Sequence, residues 1–129
     1  MITSALTVFF VADQSRSVKF YRQVLQAEPA LDVPGMTEFQ LGPHCRLGIM
    51  PRAGAERLLG DLPEGCGGEL YLYVDEPLNY AARARSAGAE VVSELAVRNW
   101  GDETIYLKDQ DGHVLAFART LGNKESGLA

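Results

Sequence analysis

The sequence predicts an α+β domain in which one βαβββ unit is written twice, and three observations carry that expectation. Each half opens with a strand-like run that leads to an acidic helix start, at Asp13 and at Glu76, 63 residues apart. Each half closes on a turn between two strand-like runs, at Gly42-Pro43 and at Asp109-Gln110, 67 residues apart. Between the halves, Pro51, Gly54, Gly60, Pro63, Gly65, Gly67 and Gly68 fall within Pro51 to Gly68, a density of breakers that predicts a linker without regular structure.

The elements follow in order. Thr3 to Val11 is rich in β-branched and aromatic residues and reads as a strand. Asp13 or Ser15 then caps a helix that carries Val18, Tyr21, Val24 and Leu25 on one face. Strands are expected at about Pro29 to Val33, Thr37 to Leu41 and Cys45 to Met50. After the linker, Glu69 to Val74 reads as a strand. Asp75 is the expected cap of a helix with Pro77 in its first turn, with Leu78, Ala81 and Ala82 on one face and Gly88 as its stop. Glu90 to Leu95, Glu103 to Leu107 and His113 to Ala118 supply three more strands. The last two flank Asp109-Gln110-Asp111-Gly112, a hairpin signal because glycine takes φ > 0 at little cost. One domain is expected over residues 1–120, with modules at about 1–50 and 69–120, a linker at 51–68 and a mobile tail at 121–129.

Composition excludes several classes. Of the 129 residues, 47% are hydrophobic and 22% charged, ordinary values for a packed domain and unlike a disordered chain. The net charge of −5 and the lack of a Lys/Arg cluster argue against nucleic acid as a partner. The apolar run Ala5 to Ala12 has no basic residue before it and is too short to span a bilayer, so neither a signal peptide nor a membrane segment is expected, and a cytoplasmic location is. Cys45 and Cys66 are too few for a disulfide framework; both reduced is the expected state, with a single bridge as the alternative.

The duplicated plan, Val11-Ala12-Asp13 followed by Phe20-Tyr21, and Trp100-Gly101 before the Asp109-Gln110-Asp111-Gly112 hairpin resemble the vicinal oxygen chelate superfamily, the glyoxalase/bleomycin-resistance/dioxygenase group. That resemblance implies a curved mixed β-sheet cleft, a homodimer and a small-molecule ligand. It also implies metal ligands at the start of each half's first strand and in the middle of each half's last strand. The matching positions here are Leu6, Gly48, Glu69 and Ala116, of which Glu69 alone can coordinate. No cofactor and no divalent metal are therefore expected.

Strand side chains alternate between faces, so these four positions fix the parity of their strands. The opposite parity holds Leu47, Ile49, Leu70, Leu72, Val74, Leu115 and Phe117, all apolar, and alternation adds Phe39, Leu41, Ile105 and Leu107 to that core. The cleft side then holds Val8, Phe10, Gln40, Arg46, Met50, Glu69, Tyr71, Tyr73, Thr104, Tyr106 and Ala118, with Trp100 on the rim loop. Aromatic rings mixed with a few polar groups are the usual lining of a small-molecule site.

The residues expected to bind ligand are Trp100, Tyr71, Tyr73, Tyr106, Met50, Arg46 and Glu69. A buried Tyr or Trp needs a polar partner that a ligand could supply. Glu69 reads either as a binding carboxylate and possible proton-transfer base or as the ion-pair partner of Arg46. His44 and His113 occupy equivalent turns and are expected to be solvated. Cys45 and Cys66 have no evident His base. The expected function is a bleomycin-resistance-type binding protein that sequesters an aromatic or cationic molecule without transforming it, an antibiotic-resistance type of role. The alternative is a lyase, isomerase or dioxygenase of the same superfamily, metal-dependent or using Glu69 as base.

Overall fold

A computed structural model describes residue 2, residues 4–65 and residues 69–122. Cys66 and residues 123–129 of the expected tail lie outside the described residues. The chain divides into two compact units, Met1–Glu64 and Gly65–Ala129, each built on one four-stranded mixed sheet.

The first unit runs β1 (Ala5–Val11), α1 (Gln14–Leu25), β2 (Leu31–Val33), β3 (Met36–Gly42), β4 (Cys45–Pro51) and α2 (Arg52–Leu59), with sheet order β1-β4-β3-β2. The second runs β5 (Glu69–Tyr73), α3 (Pro77–Ser86), β6 (Glu90–Val97), β7 (Asp102–Lys108) and β8 (Val114–Thr120), with order β5-β8-β7-β6. In both units the first strand lies parallel to the last, and the remaining pairs are antiparallel. The repeated plan read from the sequence is thus repeated in topology.

Local chemistry explains most element ends. The Asp13 side chain accepts a hydrogen bond from the Arg16 N–H at 3.0 Å and starts α1. Gln14 fastens that end of the helix to the β2–β3 hairpin: its amide donates to the Val33 carbonyl and the Thr37 hydroxyl and accepts from the Gly35 N–H. At the β7–β8 turn, Asp109 Oδ1 accepts from the backbone N–H groups of Asp111 and His113 while Gly112 takes φ +86°, the conformation the Asp-Gly pair foretold.

Four expectations need correction. The linker is not free of regular structure, because Arg52-Ala-Gly-Ala-Glu-Arg-Leu-Leu59 forms α2; its single interior glycine is tolerated, and the breakers gather only from Gly60 onward. The N-cap of α3 is Glu76, with Pro77 just inside it, while Asp75 Oδ1 accepts from the Glu76 N–H. Leu78 and Ala82 are exposed; the buried side of α3 is Pro77, Ala81 and Ala84, beside Tyr80, whose ring lies 5.5 Å from that of Phe117. Pro29 and Ala30 precede β2, which starts at Leu31.

The strand parity holds. Phe39, Leu47, Ile49, Leu107, Leu115 and Phe117 are all at most 1% exposed, and Leu70 and Ile105 are buried with them. In the first unit Phe9 joins this side through the Tyr21 ring of α1, at 6.3 Å. The opposite face of each sheet is left to carry the site.

Candidate functional site

On the second unit's opposite face, Tyr71 of β5, Ala116 of β8 and Tyr106 of β7 lie side by side in register, and Tyr73, Ala118 and Thr104 form the next row. Alanine at both central positions lets the tyrosine rings meet across β8. The Tyr71 and Tyr106 ring centroids are 6.4 Å apart, Tyr71 and Tyr73 are 5.3 Å apart, and Ala116 and Ala118 are fully buried.

Asp102 anchors this cluster. The hydroxyls of Tyr71 and Tyr73 both donate to its Oδ2, at 2.7 and 3.1 Å, and the carboxylate is wholly buried. Tyr71 also meets the Thr104 hydroxyl at 2.7 Å and accepts from the Trp100 indole N–H at 3.0 Å. A phenol oxygen that accepts from Trp100 and Thr104 and donates to Asp102 has no hydrogen-bonding capacity left. The polar partners of Tyr71, Tyr73 and Trp100 are therefore supplied within the second unit. Trp100 keeps 48% of its surface exposed at the edge of the cluster.

Arg98 adds a cation. Its Nη2 donates to the Ser93 hydroxyl and to the Glu94 and Thr104 carbonyls, and its guanidinium carbon sits 5.1 Å from the Tyr106 ring centroid. One face of Tyr106 is thus already taken. Burial pushes the Tyr71 hydroxyl above the usual tyrosine value; hydrogen bonds from Thr104 and Trp100 oppose the shift, and the Asp102 charge adds to it. Burial likewise raises Tyr106, helped by the Glu69 charge and opposed by Arg98. Both phenols stay protonated at neutral pH.

The remaining site residues of the sequence reading fall in the first unit. Arg46 and Met50 lie on its opposite face with Leu6 and Val8. Arg46 has partners within its own unit: its Nη1 bonds Glu38 at 3.0 Å and its Nε donates to Gln40 at 2.8 Å. Glu69 itself is exposed at the start of β5.

The residues that the sequence reading missed are Asp102, Arg98 and Glu38. Alternation could have found two of them, since Asp102 shares the parity of Thr104 and Glu38 that of Gln40. Arg98 sits on the β6–β7 connection, where no periodicity applies.

The donor set does not fit a divalent metal of the kind the resemblance implies. Leu6, Gly48 and Ala116 carry no coordinating atom, and a Cβ added at Gly48 would stand 3.2 Å from Met36 Sδ and Val8 Cγ2 and 3.3 Å from Leu6 Cδ1. Among the described residues one other group, Asp109, Asp111 and His113, brings ligand atoms within 4.8 Å of one another. Its bonds serve the hairpin turn, where His113 Nδ1 also meets Asp109, at 3.0 Å, so His113 is half-buried and partnered instead of solvated. Cys45 is a free, exposed thiol at the first residue of β4.

Comparison with known proteins agrees with the fold. The family model described as Glyoxalase/Bleomycin resistance protein/Dioxygenase superfamily matches residues 4–117, and the chain belongs to that superfamily. Among solved structures it is similar to a glyoxalase-related enzyme from Fulvimarina pelagi, with 18% identity, 98% of this chain and 96% of that one covered, and a TM-score of 0.82. It also resembles a glyoxalase/bleomycin resistance protein/dioxygenase family enzyme from Burkholderia phytofirmans PsJN (17% identity, 90% and 97% covered, TM-score 0.80). A glyoxalase/bleomycin resistance protein/dioxygenase from Nocardioides is 25% identical, with 100% and 89% covered and a TM-score of 0.70. No curated protein matches the chain. No described helix is long and apolar enough to cross a membrane.

Proposed function

We propose that the protein binds a small aromatic or cationic molecule on the tyrosine face of its second unit, as a receptor without metal chemistry. The observation that carries this reading is the preorganised cluster in which Tyr71 and Tyr73 are held by Asp102 and Tyr71 also by Thr104, Tyr106 lies against Tyr71 and Arg98, and the half-exposed Trp100 forms the edge. Rings fixed before the ligand arrives lose little side-chain freedom on binding. Their π-faces and the Glu69 carboxylate favour a cation, while Arg98, seated on Tyr106, directs that cation toward Tyr71, Tyr73 and Trp100. The resistance-type role and the homodimer rest on the resemblance to family members, and sedimentation velocity tests the second: a species of twice the chain mass is expected.

The test of binding is a calorimetric titration with a panel of aromatic ammonium compounds. Trp100→Ala is expected to weaken binding about tenfold, roughly 1.4 kcal/mol, and to leave the fold intact. Unchanged affinity removes Trp100 from the site, and no binding by any member of the panel contradicts the reading.

A further inference from the structure

The first unit holds a separate open cavity of about 380 Å³, within the range of small-molecule sites, whose walls include Leu6, Glu38, Gln40, Pro43 and Arg46. Register explains its polar wall: Glu38 and Gln40 of β3 share one face, and Gln40 stands directly opposite Arg46 of β4. The Arg46 guanidinium is fixed by two bonds, Nε to Gln40 Oε1 and Nη1 to Glu38 Oε1. Among the described residues, neither Arg46 Nη2 nor Glu38 Oε2 has a further partner. The Glu38 side chain is only 15% exposed, so this carboxylate has one cation beside it and little water.

We infer that this cavity binds a small zwitterion of the α-amino acid type, its ammonium on Glu38, its carboxylate on Arg46 and an apolar side chain against Leu6 and Pro43. A planar guanidinium already oriented by two neighbours matches a carboxylate well, and a carboxylate with an open oxygen accepts from an ammonium. Because the two protein charges adjoin, a ligand with only one charge meets attraction from one and repulsion from the other. A ligand whose own opposite charges adjoin satisfies both. Leu6, 44% exposed, supplies apolar surface for the remainder of the molecule to cover. The proposal uses residues of the first unit alone and does not depend on the reading of the tyrosine face.

The experiment is isothermal titration calorimetry on the full chain with L-leucine, with isoamylamine, which lacks the carboxylate, and with 4-methylpentanoate, which lacks the ammonium. Leucine is expected to bind, and each truncated analogue to bind at least about tenfold more weakly. Glu38→Gln should erase the preference of leucine over 4-methylpentanoate, and Arg46→Gln its preference over isoamylamine, with folding checked by circular dichroism. If a variant fails to fold, the three ligands on the unaltered protein decide alone. No saturable heat with leucine at millimolar concentration, or an analogue binding as tightly as leucine, overturns the proposal.

Discussion

The two sheets share topology and strand order but fill their opposite faces by different means. In the first unit the central position, Gly48, is covered by Met36, Val8 and Leu6, and the polar groups are one ion pair and an amide. In the second unit the matching central position, Ala116, lies between Tyr71 and Tyr106, and the hydroxyls of Tyr71 and Tyr73 converge on a buried carboxylate. One methyl group separates the two solutions. A glycine lets short apolar side chains close over the strand, while an alanine spaces rings that reach past it to the next strand. A repeated backbone therefore does not imply a repeated site.

The sharpest way to break this comparison is to return a carboxylate to the second face. Ala116→Glu would bury a further charge among three rings, where Arg98 is already engaged on Tyr106 and three oxygens, at an expected cost of about 4 kcal/mol, visible as a large drop in the urea midpoint. A variant of unchanged stability would show that the face is more open than its burial indicates. Next in size, Asp102→Ala removes the carboxylate that accepts from the Tyr71 and Tyr73 hydroxyls and should cost about 2–3 kcal/mol, measured in the same way. Asp102→Asn, which keeps an acceptor, should cost clearly less.

In the first unit, Gly48→Ala places a methyl against Met36 Sδ and Val8 Cγ2 at 3.2 Å and should cost about 1 kcal/mol, because the Met36 side chain can yield. A stabilised variant would mean that this face is underpacked and would dissolve the contrast.

The smallest expected effect is on pH. The raised Tyr71 and Tyr106 hydroxyls keep their protons in the folded state beyond the ordinary value of 10.0, at which the unfolded chain loses them. Their contribution is fully present below about pH 10 and is lost as pH rises through the folded values. Tyr71→Phe should therefore flatten the alkaline fall of the melting temperature, and an unaltered slope would contradict the assigned direction.

Much of this was legible in the sequence. Strict alternation of large apolar residues in Leu47/Ile49, Leu115/Phe117 and Ile105/Leu107 fixed the core side, because side chains two apart on a strand share one face. Tyr71, Tyr73 and Tyr106 followed from the same parity, and Trp100 from its place on the rim loop. What stayed hidden depends on reach across strands. That Tyr71 and Tyr73 of β5 share Asp102 of β7 depends on strand order and on the two alanines between, neither of which local pattern encodes. The pairing of Arg46 with Glu38 was hidden for the opposite reason. Glu38 lies eight residues from Arg46, across the β3–β4 turn, and the two meet through a register that the turn sets. The helix α2 is obscured because Pro51 to Gly68 is dense in glycine and proline as a whole, although they concentrate from Gly60 onward.

The central claim is that the tyrosine face receives a molecule and not a metal ion, and metal content tests it most directly. Mass spectrometric metal analysis of protein purified without chelator should find no equivalent that depends on Glu69, so wild type and Glu69→Gln should read alike. A full equivalent of zinc, nickel, manganese or iron in the wild type that disappears in Glu69→Gln would contradict the account.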